Sequence, residues 1–595
     1  MSIGENISIG FDQYNITGCF TNYTYIVPDY QREYVWDEDP KKSQVEELLH
    51  DIEEAYENNK QQYFVGTIVV YKNGQNLEII DGQQRLTTFF IFLCALHHLY
   101  KDYGETSETI KKLIYSSVMD SEGNEKKAYH LQLQYSDASS CLEKIFKRDL
   151  IPDSDMTKSE NRLFSAYEKI YDEIKEKCRN IDSLKPFAAF VIQKIIFVQI
   201  ENTNRADALK IFETINQRGI GLNPMDLLKN MIFMQVDRDK FNSLNNEWKE
   251  IITTLEQINE KPLRFMRYYI MGTYDTSKEK DRILREERIY QWITENDNQC
   301  GYREDPIGFV RKMSDGATKY KSFLNPVKDD EGDQHLSNIF LFAGKTYRLH
   351  LMLLLAADKM DDKLLKKFKG ILEVVIYYST ITQKRTNEME RTFSQWCPKI
   401  REISDDASMN EFLKSSVIPV VNRWKKEYHD MFRVIGLENT QKYRIRFILA
   451  RISQYIEDKR RGAGHNLSNV LVQGIEIEHI MPQKPDNIYD YGMIDENEFK
   501  DFDGRIGNLT LLEKTLNSVI KNKPYKDKCE TYIKSQLYMT SSIPKLVDEG
   551  KNTAINRLNK KLRSWKEWNK ESIVDRQEML YNLSEEVWNL NDYIY

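Results

Sequence analysis

Two stretches near the start of the chain read as paired strands. Residues 63–71 (YFVGTIVVY) are rich in β-branched and aromatic side chains, Asn73-Gly74 supplies a hairpin turn, and residues 77–80 (LEII) follow as the antiparallel partner. Asp81-Gly82 breaks the second strand, and residues 83–100 are so largely apolar that they predict a buried helix. Residues 187–200 read as a further β-like run and residues 206–216 as helix. Asn223-Pro224 with Asp226 offers a cap, a first-turn proline and an acid near the positive helix end, so another helix should start there. From 240 to about 440 apolar residues recur at helical spacing, as in 347–357 and 364–381; the polar stretches 328–333 and 404–410 predict surface loops. A helix over 443–456 runs into a basic loop, Lys459 to Gly464. Residues 474–480 (GIEIEHI) alternate as a strand stopped by Pro482, and 486–503 form an acidic loop. A turn and short strand over 507–512 and a helix over 513–521 complete a strand–loop–strand–helix unit. The pattern predicts a multidomain α+β chain divided into 1–240, 241–440 and 441–595.

Composition narrows the class without naming a function. A chain of 595 residues with 41% hydrophobic and 30% charged residues is globular, and too long for one core. Its longest apolar run, residues 89–96, is far short of the ~20 a membrane span needs, and the N-terminus shows no basic-then-apolar leader. Seven scattered cysteines without a C-x-x-C pair argue against a disulfide framework and against a cysteine-held zinc. A cytoplasmic protein with no membrane partner is expected. The net charge of −7 alone discourages nucleic-acid binding, yet residues 505–570 hold 15 basic and 6 acidic side chains, a local +9. Screening beyond ~8–10 Å lets such a region act on a polyanion independently of the rest.

The C-terminal unit carries the more specific chemistry. Glu478-His479 ends its first strand and Asn517 lies on its helix, the layout of a ββα-metal nuclease. Phosphodiester hydrolysis needs a base for water, which neutral imidazole supplies near pH 7, and a cation against the phosphate. A carboxylate plus an amide oxygen are hard ligands suited to Mg²⁺ or Mn²⁺. The segments Glu478-His479-Ile480-Met481-Pro482-Gln483, Gly507-Asn508-Leu509-Thr510-Leu511-Leu512, Asn517 and Asn522-Lys523-Pro524-Tyr525-Lys526-Asp527-Lys528 together resemble the HNH nuclease domain of GmrSD-type modification-dependent restriction enzymes. The resemblance implies His479 as general base, Glu478 and Asn517 as metal ligands, and Asn508 as the holder of the loop that orients the histidine. It sets Asn522 and Lys526 near the phosphate. The basic run continues through Lys528 to Lys560, Lys561 and Arg563, read as a basic helix along the DNA path whose two tryptophans pack it onto the core rather than stack on bases.

Three N-terminal motifs stand together: Pro28-Asp29-Tyr30-Gln31-Arg32-Glu33-Tyr34-Val35-Trp36, Asp81-Gly82-Gln83-Gln84-Arg85, and Phe212-Glu213-Thr214-Ile215-Asn216-Gln217-Arg218-Gly219 followed by Asp226-Leu227-Leu228-Lys229-Asn230. The second sits at a strand-to-helix turn, where free N–H groups favour an anion. No ordinary P-loop is present. These motifs resemble the ParB/sulfiredoxin-like D-G-Q-Q-R domain of the same enzymes, which implies NTP binding and hydrolysis. Asp81 would then assist metal or water, Arg32 and Arg85 would contact phosphates, and Gly82, Gln83, Gln84, Asn216 and Lys229 would complete the nucleotide site. The expected function is an NTP-regulated, metal-dependent endonuclease against modified phage DNA, with a homodimer left open. Two alternatives stay open: a nucleotide-switched DNA-binding regulator with an inactive HNH remnant, and an abortive-infection nuclease acting on host nucleic acid.

Overall fold

The computed structural model describes residues 9–594 apart from 30, 32, 37–42, 75, 120–121, 136–139, 150–155, 203–207, 209–223, 237–239, 325–333, 463–473 and 549–552; of residues 9, 224 and 226 only the backbone is described. These residues form two compact units, one of 1–252 with 287–312 and one of 253–286 with 313–595. The helices from 313 to 440 therefore pack with the C-terminal residues rather than as a unit of their own.

The first unit is built on a mixed six-stranded sheet. Its strands are β1 (Ile9–Asn15), β2 (Thr24–Val27), β3 (Tyr63–Asn73), β4 (Asn76–Asp81), β7 (Leu131–Leu133) and β8 (Ile195–Asn202), in the order β1-β8-β3-β4-β2-β7. The hairpin β5 (Tyr115–Met119) and β6 (Glu125–Tyr129) pairs apart from it. β3 and β4 pair antiparallel across the Asn73-Gly74 turn, where Gly74 has φ +65°. β3 is apolar on both faces because both are covered. Ile68 and Val70 join the main core, while Val69 meets Ile80, Ile200 and Leu227 on the other side. The helix α1 (Gln83–Asp102) lies in the main core, and every residue from Gln83 to Tyr100 except Arg85 is buried. It packs on α2 (Lys158–Lys177), where Tyr167 hydroxyl and His98 Nδ1 are 2.8 Å apart.

Two expectations are corrected in this unit or fall outside it. Residues 187–194 are not strand: they end α3 (Ile181–Lys194), which starts at a reciprocal Asn180/Ser183 capping box, and the strand begins only at Ile195. The helix expected over 206–216, Asn223 as a cap, and the site residues Arg32 and Asn216 lie outside the described residues. The helix α4 (Pro224–Phe233) does begin at the proline.

The second unit is helical around a small hairpin. Its long helices include α5 (Asp362–Ile381), α6 (Ile418–Arg433), α7 (Lys442–Arg461) and, near the C-terminus, α8 (Lys570–Val587). Asp361 caps α5 by accepting the Leu364 N–H. Buried Glu373 of α5 accepts from Asn338, Arg451 of α7 and His335, so one carboxylate ties three helices. Tyr377 stacks on Trp588 at 3.6 Å between ring centroids. Residues 404–410, expected as a loop, enter the helix Asp406–Phe412 through an Asp405/Ser408 capping box. The loop expected at 328–333 lies outside the described residues. The acidic stretch 486–503 is likewise partly helical: Asp495 accepts the N–H groups of Asn497 and Glu498 and starts the helix Glu496–Asp503. The basic run at 560–568 is not a helix; the helix Ala554–Asn559 ends before it and the chain there is turn and irregular. Among the described residues no helix is long and apolar enough to cross a membrane.

Candidate active site

In the second unit, β9 (Ile475–His479) and β10 (Leu509–Glu513) pair antiparallel, with His479 opposite Leu509 and Glu478 opposite Thr510. The helix Lys514–Ile520 follows directly, and the helix Tyr525–Tyr532 packs beside it. Strand, loop, strand and helix thus succeed each other in the expected order.

Asn508 is the fixed point of the site. Its Oδ1 accepts the Met481 N–H at 2.8 Å and the Trp568 Nε1–H at 3.0 Å, and its Nδ2 donates to the Asp503 carbonyl at 2.9 Å. Its own carbonyl accepts the Ile480 N–H. The two residues after His479 are therefore held by one side chain and its backbone. Behind it, α8 supplies fully buried Arg576, whose Nη1 donates to the carbonyls of Ile506, Gly507 and Leu509. Burial pushes this guanidinium down to about 10, still charged at neutral pH. A glycine is needed at 507, because a Cβ there would stand 2.3 Å from the Ile573 carbonyl oxygen. Arg576 carries no motif of its own in the sequence.

His479 is pushed down to about 4, first by burial and then by the Lys528 and Lys442 charges. Its ring is accordingly neutral near pH 7. Nε2 lies 3.4 Å from the Gln483 amide nitrogen and 4.0 Å from Asp503 Oδ2. Burial pushes the Asp503 carboxyl up to about 6, and the neighbouring Gln483 amide and Lys528 charge oppose that push. Asp503 ends the helix Glu496–Asp503 and was not singled out by the sequence; its signal is its place five residues before Asn508, which grips its carbonyl.

The other assigned residues separate. Glu478 is buried and its Oε1 accepts from Lys528 Nζ at 2.7 Å and Tyr532 hydroxyl at 3.0 Å. Lys528 also donates to the His479 carbonyl at 2.6 Å, and its side chain is 1% exposed. Burial pushes Glu478 up and Lys528 down, and their attraction pulls each back toward its charged form. Lys528 is therefore an internal counter-ion and not a surface contact for DNA, a correction that follows from its position one turn before Tyr532 on the inner side of the helix. Asn517 Nδ2 donates to exposed Glu476, two residues before Glu478 on the same strand, at 2.9 Å. No cluster of three or more His, Cys, Asp or Glu able to hold a metal occurs among the described residues. Asn522 clamps Lys484 from both sides, accepting its N–H at 3.0 Å and donating to its carbonyl at 2.6 Å. Lys526 and Lys560 are exposed, while Lys561 meets Glu586 at 2.6 Å and Arg563 pairs with Asp575. Both tryptophans of that run face protein: Trp568 packs on Tyr525, and Trp565 donates to Asp575.

The N-terminal motif cluster is largely a backbone clamp. Asp81 Oδ1 accepts the Gly82 N–H at 2.7 Å, and Gly82, with φ +92°, leaves no room for a Cβ against Ile68. Gln84 engages both ends of its amide with the first motif, accepting the Val35 N–H at 2.9 Å and donating to the Glu33 carbonyl at 3.0 Å. Gln31 reaches the carbonyls of Ile79 and Ile80, so the first two motifs are locked together. Gln83 is buried, and Arg85 lies over Gly66 and donates to the Val65 carbonyl at 3.3 Å. Lys229 on α4 stands 5.3 Å from the Phe233 ring centre.

Compared with known proteins, residues 12–233 match the GmrSD restriction endonuclease, N-terminal domain, and residues 424–583 match the GmrSD restriction endonucleases, C-terminal domain. An uncharacterized protein of Methanocaldococcus jannaschii, MJ0686, is 24% identical over 256 residues, covering 38% of this chain. The chain spans 40% of the length of that curated relative.

Proposed function

The chain belongs to the GmrSD restriction endonucleases, with both family domains on one polypeptide, and on that premise we propose an NTP-regulated, divalent-metal-dependent endonuclease of the HNH type that cuts modified phage DNA. The observation that supports the cutting role is His479, a neutral imidazole at a strand end whose following residues are held by Asn508. Neutral imidazole takes a proton from water as the water oxygen bonds to phosphorus and the bond to the leaving oxygen breaks. A divalent cation would supply positive charge against the phosphate. Glu478 would offer it a carboxylate whose Oε1 already accepts from Lys528 and Tyr532, and no step is assigned to that ion. Exposed Lys526 and Lys560 suit contact with duplex phosphates. In the N-terminal domain, the start of the 20-residue α1 and the Arg85 guanidinium suit a triphosphate, whose hydrolysis would govern cutting elsewhere in the chain.

The reading is tested by giving the purified protein phage DNA with and without modified bases, each with and without NTP. Cutting should depend on the modification and respond to NTP, and Asp81→Ala and Arg85→Ala should each slow NTP turnover. Equal cutting of both DNAs, or unchanged turnover in both variants, would count against it.

A further inference from the structure

Resting on the nuclease reading, we propose that Asp503 is a second catalytic residue, which holds the attacking water jointly with His479. Gln483 reveals the arrangement. An amide nitrogen has only hydrogens to offer, so the His479 Nε2 that faces it at 3.4 Å accepts. The Asp503 carboxylate faces the same ring nitrogen. The ring nitrogen and the carboxylate are thus two acceptors facing each other with no donor between them among the described residues. They stand 4.0 Å apart, too far and of the wrong kind to bond each other. A water with about 2.8 Å to each of two acceptors spans about 4.4 Å between them, close to that separation.

Asp503 has capacity to spare for this role. Its Oδ1 is buried and has no hydrogen-bond partner among the described residues, an arrangement that costs stability unless something fills it. Its backbone carbonyl is fixed separately by Asn508, so the carboxylate's position does not depend on its own contacts. With the water in place, one O–H gives its proton to Nε2 as oxygen bonds to phosphorus. The other O–H stays on the new phosphate oxygen and is aligned by Asp503, which remains a carboxylate. The leaving oxygen departs with the electron pair of its bond and is protonated from solvent, so one water is consumed per diester cut.

The test is single-turnover cleavage of modified phage DNA by the full chain, with DNA affinity measured in parallel. Asp503→Ala should lower the rate about 10²-fold at unchanged affinity, and added formate should restore part of it by replacing the lost carboxylate. Asp503→Asn, which keeps the shape, should also be slow and should not respond to formate; Asp503→Glu should recover more activity than either. Rates within about twofold of wild type in the Ala and Asn variants, or a loss matched by weaker DNA binding and indifferent to formate, would overturn the proposal. Failure of the nuclease reading looks different: wild type itself would leave every DNA intact.

Discussion

His479→Ala is expected to lower DNA cleavage by about 10²–10⁴-fold while the protein folds and binds DNA as before. The side chain carries few structural bonds, since among the described residues the polar neighbours of its ring are Gln483 and Asp503. What ties the strand end to its surroundings is backbone: the His479 carbonyl receives Lys528, and the pairing with Leu509 is main-chain. Alanine keeps both. Loss of activity in this variant therefore reads as loss of a proton acceptor, provided that its melting temperature and DNA affinity match wild type. Wild-type cutting rates in the purified variant would remove His479 from the mechanism.

Lys528→Met should destabilise the second unit by about 3–5 kcal/mol, measured as a shift in its denaturant midpoint. The lysine is buried beneath the site and neutralises a buried carboxylate, so removing it leaves Glu478 desolvated with only the Tyr532 hydroxyl. Burial already pushes Glu478 up, and without its counter-ion that push is unopposed. The double variant Glu478→Gln/Lys528→Met should regain most of the loss, because neither buried charge then remains. If the single variant were as stable as wild type, the pair would be a surface contact and the packing described here would be wrong.

The sequence made local pairings legible and long-range burial illegible. The hairpin of β3 and β4 is written in Asn73-Gly74 and the flanking β-branched residues, and α1 in its unbroken apolar run. The unit β9–β10–helix was recoverable because Glu478-His479, Asn508 and Asn517 fall in order on it. By contrast, 187–194 has a strand's composition, and only the Asn180/Ser183 cap several residues upstream makes it helix. Asp495 starts a helix inside what composition alone reads as an acidic loop. Lys528 sits among exposed lysines, and nothing local distinguishes it; its burial is set by Glu478, fifty residues away in the chain. The same holds in the N-terminal motifs, where the hydrogen bonds of Gln84 to Glu33 and Val35 cannot be read from the local sequence. Asp503 was missed because its five-residue spacing from Asn508 gains meaning only once the Asn508 side chain is seen to grip its carbonyl.

The most direct test of the central claim is cleavage of modified phage DNA by the full chain with NTP, in Mg²⁺ or Mn²⁺ and again after EDTA. A metal-dependent endonuclease should yield fragments in the first case and intact DNA in the second, with cutting restored when excess Mg²⁺ is returned. Undiminished fragmentation in EDTA, or intact DNA under every condition, would contradict it.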